Sequence, residues 1–85
     1  MQRVCCNNMA VEDGKVVYTG MLNDRGGIET DVTATRVSKN EYLVVAPCAS
    51  AIKDMNWMKK NAHDDEFVTF TDVTSSYAVL GVMGP

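Results

Sequence analysis

The stretch KVVYTGMLNDRGGIETDVTATRV, from Lys15 to Val37, decides the fold. Two runs rich in Val, Thr, Tyr and Ile flank the short link Asn23–Gly27, and this pattern is typical of two antiparallel strands joined by a tight turn. Gly26 and Gly27 can adopt a positive φ without a Cβ clash, as a tight or bulged hairpin turn demands. The stretch therefore predicts a β-hairpin with its turn near Arg25, in which either glycine can be the left-handed residue.

The second strand of this hairpin separates its residues between two faces, because side chains alternate along a strand. One face is predicted to pack on the core and comprises Ile28, Thr30, Val32 and Ala34; the other comprises Glu29, Asp31, Thr33 and Thr35. An Asp has poor strand propensity and is costly to bury without a partner, so Asp31 is expected to face water, a partner or a ligand. From the residues alone, a structural role is the simpler interpretation, with Asp31 bound to Thr33 or to a backbone N–H.

The segment after the hairpin is predicted to form a third strand and a helix. Glu41–Ala46 has apolar residues on both faces, and Pro47 ends it. The helix is predicted to begin after Ser50 as its N-cap, because the apolar period then lengthens to that of an amphipathic helix. Its apolar face comprises Ala51, Ile52, Met55, Met58 and Ala62, and its Met residues and Trp57 are interpreted as core.

Two further strands are predicted at Phe67–Val73 and Tyr77–Val82, separated by a turn at Thr74–Ser76. Tight turns favour antiparallel pairing. We therefore predict an α+β fold with a mainly antiparallel sheet, the order β-β-β-α-β-β and one helix packed on the sheet. Residues 1–85 are predicted to belong to a single domain.

Composition limits the classes of function. The 85 residues are 46% apolar and 22% charged, which is typical of one small globular domain. A net charge of −3 disfavours nucleic acid as a partner. No apolar run approaches the ~20 residues of a membrane span, and the N-terminus lacks the features of a signal peptide, so we expect no membrane partner and a cytoplasmic location.

The cysteines and the histidine do not form a recognisable site. Cys5, Cys6 and Cys48 are an odd number without C-x-x-C spacing, and we expect them to be reduced, half-buried thiols. His63 lies in a polar link, where a solvated side chain is a better interpretation than a general base or a ligand. No metal is expected.

Several stretches resemble a known family. The hairpin run from Val16, with the segments RVCCNN, EYLVVAPCAS and DVTSSYAVLGVMGP, resembles the folate-binding aminomethyltransferase domain of the dimethylglycine and sarcosine dehydrogenase family, itself similar to the glycine cleavage T-protein. In that family a strand, a link ending in Gly-Gly and a second strand bearing an Asp recur, here Val16–Asn23, Gly26-Gly27 and Asp31. The resemblance covers nearly the whole chain and is weakest at Ala62–Glu66. It implies that residues 1–85 are an internal fragment of a longer polypeptide.

The resemblance also implies a function and a site. Such domains bind tetrahydrofolate and capture a one-carbon unit, from an iminium made by a flavin domain or from a lipoyl carrier, as 5,10-methylenetetrahydrofolate. Asp31 matches the family's catalytic Asp, whose carboxylate could accept a proton from the folate amine. Asn23 and Tyr18 are candidate folate contacts, although Asn23 could equally start the turn and Tyr18 could equally pack in the core. FAD would bind elsewhere in the parent polypeptide, because this chain has no G-x-G-x-x-G fingerprint.

The resemblance leaves several alternatives open. The fragment alone is expected to be inactive, and its partners would be folate and the remainder of the parent polypeptide, in the mitochondrial matrix if the source is eukaryotic. A T-protein type aminomethyltransferase without flavin is one alternative. Another is a non-catalytic regulatory relative, resembling the regulatory subunit of pyruvate dehydrogenase phosphatase. A third is an interaction module unrelated to folate, which would use exposed edge strands and could dimerise through them. Edge strands that the parent polypeptide covers would also be exposed in the fragment, so self-association of the fragment is expected as well.

Overall fold

The computed structural model describes residues 1–85 and has a three-stranded antiparallel sheet at its centre, with the strands in the order β1-β2-β3. The strands are β1 (Val16–Leu22), β2 (Ile28–Ser38) and β3 (Glu41–Val45). One α-helix, α1 (Ala51–Lys60), follows a short 3₁₀ turn at Cys48–Ser50. The predicted α+β class and the order β-β-β-α of the first four elements are confirmed.

The hairpin turn between β1 and β2 is built around the side chain of Asn23. Its Oδ1 accepts hydrogen bonds from the backbone N–H groups of Arg25 (3.0 Å) and Gly27 (2.9 Å). Gly26 is the left-handed residue, with a φ of +78°. Gly27 is needed for a different reason, because a Cβ there would lie 3.0 Å from Asn23 Nδ2. The two glycines therefore have separate structural roles.

A β-bulge at Glu29 changes the predicted alternation at the start of β2. Met21 lies opposite Thr30, whereas Leu22 lies opposite Ile28, so Glu29 is the extra residue. The bulge moves Ile28 off the core face, and the residue is 73% exposed. The prediction that Ile28 packs on the core and that Glu29 shares the face of Asp31 was therefore wrong. The rest of the alternation is confirmed, since Thr30, Val32 and Ala34 are buried.

The helix packs on the core face of the sheet through only part of the predicted apolar face, because Met58 and Trp57 lie against the core as predicted whereas Ala51 and Ile52 do not. Ala51 and Ile52 are exposed, and Ile52 is 82% exposed. Asp54 is 1% exposed instead, and Trp57 and Met58 pack against the buried core. That core comprises Cys5, Met9, Met21, Val32 and Ala34. The helix is too short to cross a membrane.

The two C-terminal strands are absent, which corrects the prediction for Phe67–Val73 and Tyr77–Val82. The structure contains no strand after β3, and only a 3₁₀ turn, Thr74–Ser76, interrupts the irregular C-terminal segment. A strand requires a neighbouring strand to satisfy its backbone groups, and these residues find none in the chain. Alternating apolar residues indicate a capacity for strand formation but do not supply the partner.

Candidate functional site

The candidate site lies on the outer face of the sheet, which is the face opposite α1 and comprises Val16, Tyr18, Gly20, Asp31 and Thr33. Asp31 lies in mid-strand and is exposed, as predicted. Its cross-strand neighbour is Gly20, and the side chains of Cys6 and Ile28 lie beside that glycine, with Cys6 Sγ 3.6 Å and Ile28 Cγ2 3.9 Å from the position that a Cβ would occupy. The carboxylate is therefore exposed, with a thiol and an apolar side chain nearby.

Tyr18 and Asp31 are brought together on this face. They lie on adjacent strands, and the Tyr18 hydroxyl donates a hydrogen bond to Asp31 Oδ2. The ring of Tyr18 is not in the core, because the residue is 67% exposed. The bond raises the pKa of Tyr18 above its ordinary value, since ionising the phenol would lose the bond and place two negative charges together. Tyr18 therefore orients the carboxylate as a neutral donor.

Asn23 is not part of this face. Its Oδ1 accepts the two backbone hydrogen bonds of the turn, and its Nδ2 donates to Glu29 Oε1 at 3.0 Å. Its function in the turn is thus accounted for, and a contact with folate stays a prediction. Glu29 is held at the same end of the hairpin by Lys53, whose Nζ donates to the Glu29 backbone carbonyl at 2.8 Å.

Cys6 lies beside the candidate site, although the sequence pattern did not single it out. It is exposed, and its Sγ lies 3.6 Å from the position that a Cβ on Gly20 would occupy. The hydrogen bond between Cys6 Sγ and Thr19 Oγ1, at 3.7 Å, lowers the pKa of the thiol, and the backbone at Gly20 adds to this effect. Cys5, in contrast, is buried, and desolvation raises the pKa of its thiol. Cys48 is exposed and free.

Asp54 is a second residue that sequence reasoning missed. Its Oδ2 accepts hydrogen bonds from Thr30 Oγ1 at 3.1 Å and from Ser50 Oγ at 2.8 Å. Its Oδ1 is buried without a partner, as is Nε1 of Trp57. Asp54 anchors the helix to the strand residue next to Asp31. Because residues three and four apart share a helix face, the position of Asp54 relative to Trp57 and Met58 was the signal that could have found it.

Two shallow grooves flank Trp57, away from the outer face. The larger, of about 570 Å³, lies between the bulge at Glu29 and the helix residues Ile52, Lys53 and Lys60. The smaller, of about 350 Å³, lies between Trp57 and the hairpin turn. Asp31 and Tyr18 line neither groove. The chain therefore holds the carboxylate on an open surface that can form one wall of a site.

His63 lies in an exposed link after the helix. Its Nδ1 is 3.9 Å from Glu66 Oε1, which also accepts a hydrogen bond from Arg3 at 2.5 Å. No group of three or more His, Cys, Asp or Glu side chains is arranged to hold a metal ion.

Comparisons with known proteins give the family. Residues 1–85 match the GCVT N-terminal domain. The chain is 36% identical over 86 aligned residues to the aminomethyltransferase of Halalkalibacterium halodurans, covering 100% of this chain and 23% of that protein. It is 40% identical over 84 residues to 4-methylaminobutanoate oxidase (formaldehyde-forming) of Paenarthrobacter nicotinovorans, covering 99% of this chain and 10% of the oxidase.

A third relative is a regulatory protein. The chain is 33% identical over 85 residues to the mitochondrial pyruvate dehydrogenase phosphatase regulatory subunit of Mus musculus, covering 100% of this chain and 10% of that protein. The chain thus spans between a tenth and a quarter of the length of these relatives. No solved structure matches it. Because the family match extends over every residue, the chain belongs to the GCVT N-terminal domain family of aminomethyltransferases.

Proposed function

We propose that residues 1–85 are part of a tetrahydrofolate-binding domain that captures a one-carbon unit from an oxidised N-methyl amine of the dimethylglycine or sarcosine type. The product would be 5,10-methylenetetrahydrofolate. The exposed Asp31 carboxylate, held by Tyr18 on the outer face, is the observation that carries the proposal. The names of two relatives support the two parts of the proposal, which are transfer of a one-carbon unit and oxidation of an N-methyl amine. One relative is an aminomethyltransferase, and the other oxidises an N-methylamino acid.

The outer face fits one wall of a folate site. Tyr18 presents an exposed aromatic ring, Asp31 presents an exposed carboxylate, and Gly20 lies opposite Asp31 on the neighbouring strand. An aromatic surface next to a hydrogen-bond acceptor suits a planar heterocycle that carries amine groups. Bound tetrahydrofolate would supply the amine nitrogens that take up the one-carbon unit.

Asp31 has two properties that suit this reaction. A carboxylate within hydrogen-bond reach of an amine can accept its proton, and such catalysis contributes ~10²- to 10⁴-fold to a rate. A fixed negative charge also favours a cationic group beside it. The hydrogen bond from Tyr18 fixes the orientation of the carboxylate, so less reorganisation is needed when a ligand arrives.

The remaining parts of the site belong to other polypeptide segments in this proposal. An open sheet face does not enclose a ligand, whereas small-molecule sites bury most of the ligand surface. Residues 1–85 are therefore proposed to be inactive alone and to act with the rest of a longer protein in the cytoplasm, or in the mitochondrial matrix of a eukaryote. No residue of this chain is assigned to FAD.

The test compares the full-length protein containing this chain with its Asp31→Asn variant, using dimethylglycine or sarcosine with and without tetrahydrofolate. We expect amine oxidation to be unchanged and formation of methylenetetrahydrofolate to fall by about 10²-fold or more. Asp24→Asn is the matched control, because Asp24 is an exposed carboxylate in the hairpin turn, and it should behave as the wild type. Unchanged folate capture in Asp31→Asn would refute the proposal.

A regulatory role is the second candidate, and the mouse phosphatase regulatory subunit favours it because its similarity extends over the whole chain. The same experiment separates the two functions. A full-length protein that oxidises neither amine and does not bind tetrahydrofolate would support the regulatory role.

A further inference from the structure

The helix holds β2 at the two residues that immediately precede Asp31. Lys53 Nζ donates to the backbone carbonyl of Glu29 at 2.8 Å, and Thr30 Oγ1 donates to Asp54 Oδ2 at 3.1 Å. Because Lys53 and Asp54 are consecutive in α1, one turn of the helix makes both contacts. The contact through Thr30 is buried, whereas Lys53 is exposed. The buried contact is therefore the one that water does not weaken.

The backbone of β2 is irregular beside Asp31. Glu29 is the extra residue of the β-bulge, and a bulge disrupts the hydrogen-bond ladder locally. Pairing with β3 begins only at Thr33, which lies opposite Val45. Asp31 thus lies between the bulge and the first residue that pairs with β3. The direction of its side chain therefore depends on what fixes its immediate neighbours.

Thr30 connects the helix to Asp31. The two residues share a peptide group but point to opposite faces of the sheet, Thr30 to the core and Asp31 to the outer face. The Thr30 hydroxyl also lies 3.4 Å from the backbone carbonyl oxygen of Asp31. A hydroxyl has one proton to donate, and without Asp54 it would be left with that carbonyl alone. Attachment of Thr30 to Asp54 therefore fixes the peptide from which the Asp31 side chain projects.

Stability alone does not account for a carboxylate at position 54. Asp54 is 1% exposed, and no Lys, Arg or His forms an ion pair with it. Burial of a carboxylate is costly even when it is hydrogen-bonded, and an apolar contact would attach the helix to the strand without that cost. Residues that break a local rule in this way are expected where function requires a fixed geometry.

We propose that Asp54 is a positioning residue for the Asp31 carboxylate and acts on it through Thr30. The inference rests on the proposed function, in which Asp31 accepts a proton from the folate amine. It assigns Asp54 no contact with a ligand. Reacting groups must be held to within about 0.5 Å by the residues behind them, and a misplacement of about 1 Å can lower a rate by about 10²-fold.

The first test measures amine oxidation and folate capture in the full-length protein that contains this chain. Thr30→Val keeps the shape of the side chain without its hydroxyl, and Asp54→Ala removes the acceptor. For both variants we expect kcat for methylenetetrahydrofolate formation to fall by about tenfold or more, with little change in KM for tetrahydrofolate or in amine oxidation. Thr30→Ser keeps the hydroxyl and should retain the wild-type rate. Ser50→Ala is the matched control, because it removes the other hydroxyl from Asp54 and leaves the bond to Thr30.

A double-mutant cycle distinguishes positioning from a general loss of structure. In the Asp31→Asn background, Thr30→Val should cause no further fall in folate capture, because its effect passes through the Asp31 carboxylate. An equal fall in both backgrounds would overturn the inference.

A second measurement does not use the reaction, so it separates a failure of this inference from a failure of the proposed function. The Tyr18 hydroxyl donates to Asp31, and this bond raises the pKa of Tyr18. Its titration can be followed in the full-length protein by NMR of tyrosine labelled at Cζ, with Tyr18→Phe to assign the signal. In Thr30→Val the pKa of Tyr18 should fall toward its ordinary value, because the displaced carboxylate no longer accepts the bond. Thr30→Ser and Ser50→Ala should titrate as the wild type does.

The outcomes of the titration are distinct from those of the Asp31→Asn experiment. A Tyr18 pKa that Thr30→Val leaves unchanged would overturn the positioning role, whatever Asp31→Asn does to folate capture. If Thr30→Val moves the Tyr18 pKa but Asp31→Asn leaves folate capture unchanged, Asp54 does position Asp31, and the proposed folate chemistry is wrong.

Discussion

Thr30 and Asp54 form the one buried side-chain hydrogen bond that joins the strand bearing Asp31 to the helix. Thr30 Oγ1 donates to Asp54 Oδ2 at 3.1 Å, and the two residues are 7% and 1% exposed. No Lys, Arg or His forms an ion pair with this carboxylate, which is instead held by the hydroxyls of Thr30 and Ser50. The helix is thus fixed to the sheet through hydrogen bonds to an acidic side chain.

Asp54→Ala is expected to lower the free energy of unfolding by about 1 to 3 kcal/mol, because the buried Thr30 hydroxyl then loses its shorter hydrogen bond and keeps only the longer one to Asp31 O at 3.4 Å. Ser50→Ala should cost less, since the Ser50 hydroxyl is only half-buried and also lies 3.3 Å from Pro47 O. Asp54→Asn keeps an acceptor oxygen for both hydroxyls, but its amide nitrogen replaces the buried Oδ1, which has no hydrogen-bond partner, so this variant should also lose about 1 kcal/mol or more. Urea unfolding followed by the fluorescence of Trp57 measures all three, and an Asp54→Ala chain as stable as the wild type would contradict the prediction.

The position of Asp54 shows where sequence patterns mislead. The apolar residues of the helix predicted a buried stripe through Ala51 and Met55, and hydrophobic period alone cannot reveal that a carboxylate will find two hydroxyl donors in the core. The bulge at Glu29 is a similar case, because strict alternation is the only expectation that a strand sequence provides. In contrast, the hairpin, its turn and the exposure of Asp31 were predictable, since they depend on local propensity and on the cost of burying a charge.

The C-terminal segment shows a second limit on what the sequence can predict. Phe67–Val73 and Tyr77–Val82 have the composition of strands, yet a strand forms only where a neighbour offers a hydrogen-bond ladder. Pairing is a property of the whole assembly and not of the segment. The contact between Tyr18 and Asp31 was beyond prediction for a related reason, because it depends on the cross-strand register.

Tyr18 should titrate above the ordinary phenol pKa of about 10, and Asp31→Asn should return its pKa toward that value by removing the neighbouring charge. The folded state holds the Tyr18 proton more tightly than the unfolded state does. Its contribution to stability is therefore complete below the ordinary pKa and is lost as the pH rises through the raised one. Absorbance titration of the phenols, with Tyr18→Phe to assign the signal, tests this expectation. A Tyr18 pKa that Asp31→Asn does not move would argue against it.

Glu66 should titrate at a pKa of about 2, because the guanidinium of Arg3 donates a hydrogen bond to its carboxylate and the backbone N–H of His63 donates another. A lowered folded-state pKa contributes stability above the ordinary value of about 4.3, and this is lost as the pH falls toward 2. Arg3→Ala should raise the pKa of Glu66, and less stability should then be lost as the pH falls toward 2. Arg25→Ala removes an equal charge from the hairpin turn and should leave the Glu66 titration, followed by NMR of the carboxyl carbon, unchanged.

The hairpin turn provides a test of coupling between Asn23 and Gly27. In Gly27→Ala, the new Cβ would lie 3.0 Å from Asn23 Nδ2 and 3.3 Å from Oδ1, so the amide must shift by a few tenths of an ångström, and we expect this shift to weaken its bonds to Arg25 N and Gly27 N. Gly26→Ala meets no atom within 4 Å, and its cost is that of placing Ala at a φ of +78°, about 1 to 2 kcal/mol.

These two costs have different causes, and a double-mutant cycle separates them. When Asn23 is first replaced by Ala, the clash is removed, so Gly27→Ala should become cheaper by about 0.5 kcal/mol or more. The cost of Gly26→Ala should stay the same in both backgrounds, because it arises from the backbone and not from the Asn23 side chain. Urea unfolding of the wild type and the five variants measures both couplings. If Asn23→Ala changes the cost of neither glycine substitution, the contact between Gly27 and Asn23 does not determine the choice of glycine in the turn.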